Sequence, residues 1–289
     1  MLKILKLIYN HPFNSDNKFG GIMRFIKWQI CSYINPYPIV YTYTENTKLI
    51  VWKGLTGATG NLYCGLMEFN DMAFLLHFLR KDDEFVDIGA NIGVYSILAS
   101  GEIGANTIAI EPVSTTFHYL MNNISLNNIQ DKVIGLNIGL ASERGFLKFT
   151  KSLDTLNHIA TENDIDTIDV QIETLDSIIS KTPILIKIDV EGFEAAVLNG
   201  GEKTLRDNNL KGIIIELNGL GKRYGSDERL IHINLLELGF KPYTYNPINR
   251  QLNEIPSYGA HNTIYLRDIQ FVNERTSNAR KIKIMHREI

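Results

Sequence analysis

From residue 84 onward the chain alternates short, nearly all-apolar runs with stretches of helical period. The runs are Glu84-Phe85-Val86-Asp87-Ile88, Thr107-Ile108-Ala109-Ile110-Glu111, residues 132–137, Ile184-Leu185-Ile186-Lys187-Ile188-Asp189 and Gly212-Ile213-Ile214-Ile215-Glu216-Leu217. A strand with one face in water alternates polar and apolar residues, so strands this apolar need cover on both faces. Helical segments supply it: 94–98, a face of Phe117, Leu120, Met121 and Ile124 with Ser114 as expected N-cap, 193–198 ending at Gly200-Gly201, and 226–238 ending at Gly239. The pattern predicts an α/β domain with a doubly wound parallel sheet over residues 81–270. Strands at 240–245 and 263–267 complete it, and 146–150 pairs nearby.

Residues 1–80 read as a small α+β N-terminal extension, shaping either an acceptor pocket or an oligomer contact. Ile22, Phe25, Ile26, Ile30 and Tyr33 share one helical face, expected to be core, and Pro36 and Pro38 close that helix. Residues 39–43 and 48–52 form an expected strand pair, and Met72, Leu75, Leu76 and Leu79 another buried stripe. The last segment, 271–289, is polar and basic and reads as a solvated, disordered tail.

Composition excludes several classes. A net charge of −3 disfavours a chain that grips nucleic acid through its phosphates. No apolar run reaches the ~20 residues of a membrane span. Lys6 and Asn10-His11-Pro12 interrupt the apolar start, which argues against a signal peptide. Two cysteines, Cys31 and Cys64, make no disulfide framework and read as core thiols in a reducing compartment. The expectation is a cytoplasmic globular protein.

In open α/β sheets ligands sit at the carboxyl ends of strands, where strand order reverses. The turn Asp87-Ile88-Gly89-Ala90-Asn91-Ile92-Gly93 follows the first strand of the domain. Gly89 is expected to take a positive φ and admit a ligand, and Gly93 to let the next helix pack. Asn91 occupies the place of the second glycine in G-x-G-x-x-G, so a pyrophosphate is disfavoured. Glu111, at the next strand tip, can accept both ribose hydroxyls of a nucleoside. The turn and its two acids together suggest S-adenosylmethionine. Asp87 and Glu68 are candidates for the amino group of its methionine part, and Asn137 for the adenine edge.

Three segments carry a resemblance: 85–93, Ile110-Glu111-Pro112, and Ile186-Lys187-Ile188-Asp189-Val190-Glu191-Gly192-Phe193-Glu194. They are similar to the FkbM-type family of S-adenosylmethionine-dependent methyltransferases, and the likeness extends over roughly residues 60–270. It implies a class I methyltransferase, Rossmann-like fold and transfer to an oxygen of a carbohydrate or natural-product acceptor.

A sugar hydroxyl is a weak acid, so a base, a metal ion or both should stand beside the reacting atoms. Asp189 and Glu216 are expected to bind or orient the hydroxyl, directly or through Mg²⁺, with Glu191 as candidate base and Asn218 as a further oxygen ligand. The alternative is a structural network in which Lys187, Asp189 and Glu191 cap the following helix. Other readings are methylation of an RNA or protein nitrogen, a nicotinamide-dependent oxidoreductase, and a silent binding module. The seven histidines show no paired spacing, and Trp28, Trp52, Tyr63, Tyr243 and Tyr245 read as core or as a sugar-stacking set.

Overall fold

The computed structural model describes residues 2–150, 158–161 and 164–289. The N-terminal part contains α1 (Leu2–Asn10), α2 (Lys18–Ile34), the antiparallel pair β1 (Ile39–Thr42) and β2 (Lys48–Val51), α3 (Thr56–Cys64) and α4 (Phe69–Phe78). Then come β3 (Glu84–Ile88), α5 (Val94–Ile97), β4 (Asn106–Ile110), α6 (Ser114–Leu126), β5 (Val133–Leu136), β6 (Gly139–Leu140), β7 (Gly145–Thr150) and β8 (Thr167–Glu173). The second half holds α7 (Leu175–Ile178), β9 (Leu185–Ile188), α8 (Glu194–Asn199), α9 (Glu202–Arg206), β10 (Gly212–Glu216) and α10 (Glu228–Glu237). It closes with β11 (Lys241–Asn246), β12 (Gln251–Glu254), β13 (Asn262–Leu266), α11 (Ile269–Ser277), β14 (Lys283–Ile284) and β15 (Arg287–Glu288).

Eight strands form the main sheet in the order β12-β11-β13-β10-β9-β3-β4-β5. β5, β4, β3, β9 and β10 run parallel, as their apolar sequences require, and β13 enters antiparallel beside β10. Every residue of β9 is buried, Lys187 included. Strand order reverses between β3 and β9, which places the ligand crevice at their carboxyl ends. The fold is the expected doubly wound, Rossmann-like α/β fold. A smaller three-stranded sheet, β6-β8-β7, stands beside that crevice; of it, only 146–150 was legible.

The N-terminal part packs into the domain, since α4 buries most of its residues in the same cluster as Phe85, Ile97 and Ile214. Two expectations are corrected. First, 271–289 is no solvated tail. Val272, Ile282, Ile284 and Ile289 are buried, Arg275 pairs with Asp83, and Arg280 reaches Glu102 at 2.5 Å. Arg275, Arg280 and Arg287 hold the end down because each finds a carboxylate outside the segment. Second, α2 turns Gly21, Phe25, Trp28 and Ser32 inward and leaves Ile26, Ile30 and Tyr33 exposed. Cys31 is exposed with them, while Cys64 is buried.

Candidate active site

A cavity of about 300 Å³ crosses the carboxyl ends of β4, β3, β9 and β10. Residues 87–92 line it. Gly89 takes φ +77°, and a Cβ there would stand 1.8 Å from the backbone oxygen of Asp189. The positive φ is as expected, and the bare α-carbon also lets β9 close on β3. Gly93, at φ +87°, leaves room for Leu120 of α6, whose Cδ1 would lie 2.4 Å from a Cβ. Asn91 also has a positive φ, 51°, and folds its Oδ1 onto the backbone N–H of Ile92.

Glu111 lies buried at the tip of β4, accepting from the N–H of Asn91 at 3.0 Å and of Val113 at 2.9 Å. Burial outweighs those two bonds and lifts its carboxyl to about 7. Asp87 is 1% exposed, and its Oδ2 accepts from Ser96 Oγ at 2.7 Å and from the Ser96 N–H. Its Oδ1 has no hydrogen-bond partner among the described residues. A buried acceptor left single in a cavity wall is a place for a donor on a ligand. Burial raises this carboxyl too, against the pull of Lys187. Glu68 lines the same wall and accepts from Tyr95 Oη at 2.6 Å.

Across the reversal point, Asp189, Glu191 and Glu216 bring carboxylate oxygens within 4.8 Å of one another. Lys187 reaches Asp189 Oδ2 at 2.9 Å and lies 4.8 Å from the ring centre of Tyr95. Burial works against its charge, but Asp189, Glu68 and Asp87 outweigh it and hold the ammonium above its usual range. Burial first, then Asp189 and Glu191, pushes Glu216 up to about 8. The same cause, then Asp189 and Glu194, brings Glu191 to about 7. Glu191 adopts φ +54°, a conformation costly for a side chain with a Cβ and common at functional turns. Glu194 holds that turn by accepting from the N–H of Val190 and of Gly192.

Three expected site residues do not line the cavity: Gly93, which packs on Leu120, and the amides Asn137 and Asn218. Asn137 is exposed and spends its amide on the carbonyls of Glu111 and Pro112 and on Ser114 Oγ. Ser114 is thereby the first residue of α6 and not its cap. Asn218 is exposed and accepts from the N–H of Leu220. Ile138 and Leu140 line the wall where Asn137 was expected, and Phe149 of β7 and Ile159, bridged to it, reach the same wall. Trp28, Trp52, Tyr63, Tyr243 and Tyr245 lie outside the lining. Sequence reasoning missed Asn61 and Tyr95, polar residues on helices with no distinguishing spacing.

A family model described as the methyltransferase FkbM domain matches residues 87–242. Over 148 residues the chain is 34% identical to the hexuronic acid methyltransferase AglP of Haloferax volcanii, covering 50% of this chain and 59% of that protein. Over 83 residues it is 32% identical to methyltransferase sdnD of Sordaria araneosa, covering 28% of this chain and 32% of that one. It thus spans less than two thirds of either relative. The crystal structure of methyltransferase FkbM from Methylobacillus flagellatus KT superposes with a TM-score of 0.44 at 18% identity, over 72% of this chain and 52% of that one. No helix among the described residues is long and apolar enough to cross a membrane.

Proposed function

Since the chain belongs to the methyltransferase FkbM domain family, we propose that it transfers a methyl group from S-adenosylmethionine to a hydroxyl oxygen of a carbohydrate. One observation carries this: a single cavity joins Glu111 and the unpartnered Asp87 oxygen to the Asp189, Glu191 and Glu216 cluster. The donor set fits the cofactor. Glu111 can accept from a pair of ribose hydroxyls, Asp87 Oδ1 from an ammonium, and Ile110, Ile138 and Leu140 offer an apolar wall to a base. Bound there, the cofactor would supply an electrophilic methyl on a sulfonium.

The chain's own residues would do the rest. Asp189, steadied by Lys187, accepts a hydrogen bond from the acceptor hydroxyl and fixes its direction; positioning supplies much of the rate in such displacements. Glu191, at about 7, is poised to take the hydroxyl proton near neutral pH, with Glu216 beside it. Where a divalent ion such as Mg²⁺ is bound, these three carboxylates would hold it, without Asn218. Six carboxylates and one lysine line the cavity, which favours an uncharged sugar over a uronate unless such an ion is present.

The test is calorimetric titration with S-adenosylhomocysteine, with NAD in parallel, in EDTA and in magnesium. Binding of the first alone is expected. Glu111→Ala should weaken it about 10- to 150-fold, the worth of about 1.5–3 kcal/mol for a charge-assisted hydrogen bond. Asp189→Asn should cut turnover while leaving that affinity within a few-fold. NAD binding, or full turnover by Asp189→Asn, would overturn the reading.

A further inference from the structure

The outward face of α2 is apolar, and among the described residues nothing covers it. Phe19, Met23, Ile26, Ile30 and Tyr33 follow one another at intervals of three and four, so they form one stripe. Phe19 is 72% and Tyr33 82% exposed, and Ile34 and Tyr37 prolong the stripe at 76% and 74%. Leu2, Ile4, Leu7 and Tyr9 of α1 are exposed as well. Contiguous apolar surface of this kind marks an interaction site.

The charges around it share one sign. Lys18 lies 4.5 Å from the ring centre of Tyr9, and Lys53 lies 5.9 Å from that of Tyr33. Lys3, Lys6 and Lys27 are exposed alongside. Asp16 is taken by Arg287 at 2.9 Å. Residues 1–53 carry seven cations and two acids, a net +5, in a chain whose total is −3.

A two-fold contact with a second copy would lay this face on itself and bring lysine against lysine. An anionic bilayer satisfies both halves of the pattern: the apolar stripe enters the acyl boundary while the lysines meet headgroup phosphates. We propose that the α1–α2 face docks the protein flat on a bilayer containing anionic lipid.

The test uses the full chain with vesicles of phosphatidylcholine, with and without phosphatidylglycerol. Burial pushes the Cys64 thiol up to about 12, so a maleimide dye sensitive to polarity labels the exposed Cys31 selectively. Co-sedimentation with the anionic vesicles and a blue shift of the dye are expected, both weakened by salt. Ile26→Glu with Ile30→Glu should abolish both, with circular dichroism and thermal midpoint unchanged. Lys18→Gln, Lys27→Gln and Lys53→Gln together should weaken partitioning about a hundredfold, near fivefold per lysine. Equal binding to neutral vesicles, no binding to either, or a lipid-free dimer that the double variant dissociates would each overturn the proposal.

Discussion

Glu216 stands where three carboxylates converge at the edge of a buried sheet, and its proton carries a consequence for stability. Its carboxyl is raised from 4.5 to about 8 in the folded chain. Between those values the folded state keeps a proton that the unfolded state has released. Stability therefore falls as pH rises through that window. Glu111, Glu191 and Glu194, each raised to about 7, act in the same direction. The thermal midpoint should drop from about pH 5 to about pH 8, and Glu216→Gln should flatten the upper part of the slope. A midpoint that climbs over the same range would contradict the placement of these groups. Glu111, Asp189 and Glu216 were legible because an acid at the end of an apolar run must lie at a strand tip. Asn137 and Asn218 read the same way, but an amide at a tip can turn back and satisfy backbone groups, and both do. Periodicity does not distinguish the two fates.

At the scale of elements, α11 and the hairpin β14–β15 act as a clasp. Val272, Ile282, Ile284 and Ile289 enter the main core beside α4. Four buried aliphatic side chains at about 1.5–3 kcal/mol each contribute roughly 6–12 kcal/mol, as much as the whole net stability of about 5–15 kcal/mol of an ordinary domain. Deleting residues 269–289 should abolish the cooperative thermal transition; a truncated chain that melts near the full-length midpoint would refute this. The segment looked like a tail because its apolar residues are sparse and its charges many. Nothing local reveals that Arg275 has Asp83 to meet, nearly two hundred residues back. The strands of the sheet were legible for the opposite reason: burial on both faces writes itself into consecutive residues. The stripe of α2 shows the limit of helical period, which identifies a face without saying whether the fold covers it.

Over the whole molecule, one cluster of buried side chains runs from Ile8 and Phe13 through α4 and the sheet to Ile289. Unfolding should accordingly be a single transition, with calorimetric and van't Hoff enthalpies equal. Two resolved transitions, or a folded fragment of residues 81–289, would show the N-terminal part to be autonomous. The closure at Gly89 ties the site together in another way. With the backbone of Asp189 seated against that α-carbon, the turn at 87–92 and the tip of β9 are packed as one piece, and neither can be reshaped without displacing the other. Under the proposed function, divergence toward new acceptors has to come from what is not bolted to the tip: Phe149 of β7 with Ile159 bridged to it, and α3 with Thr56, Gly57 and Asn61. An engineer seeking a different acceptor for the proposed transfer would randomise those two walls and leave the strand ends untouched.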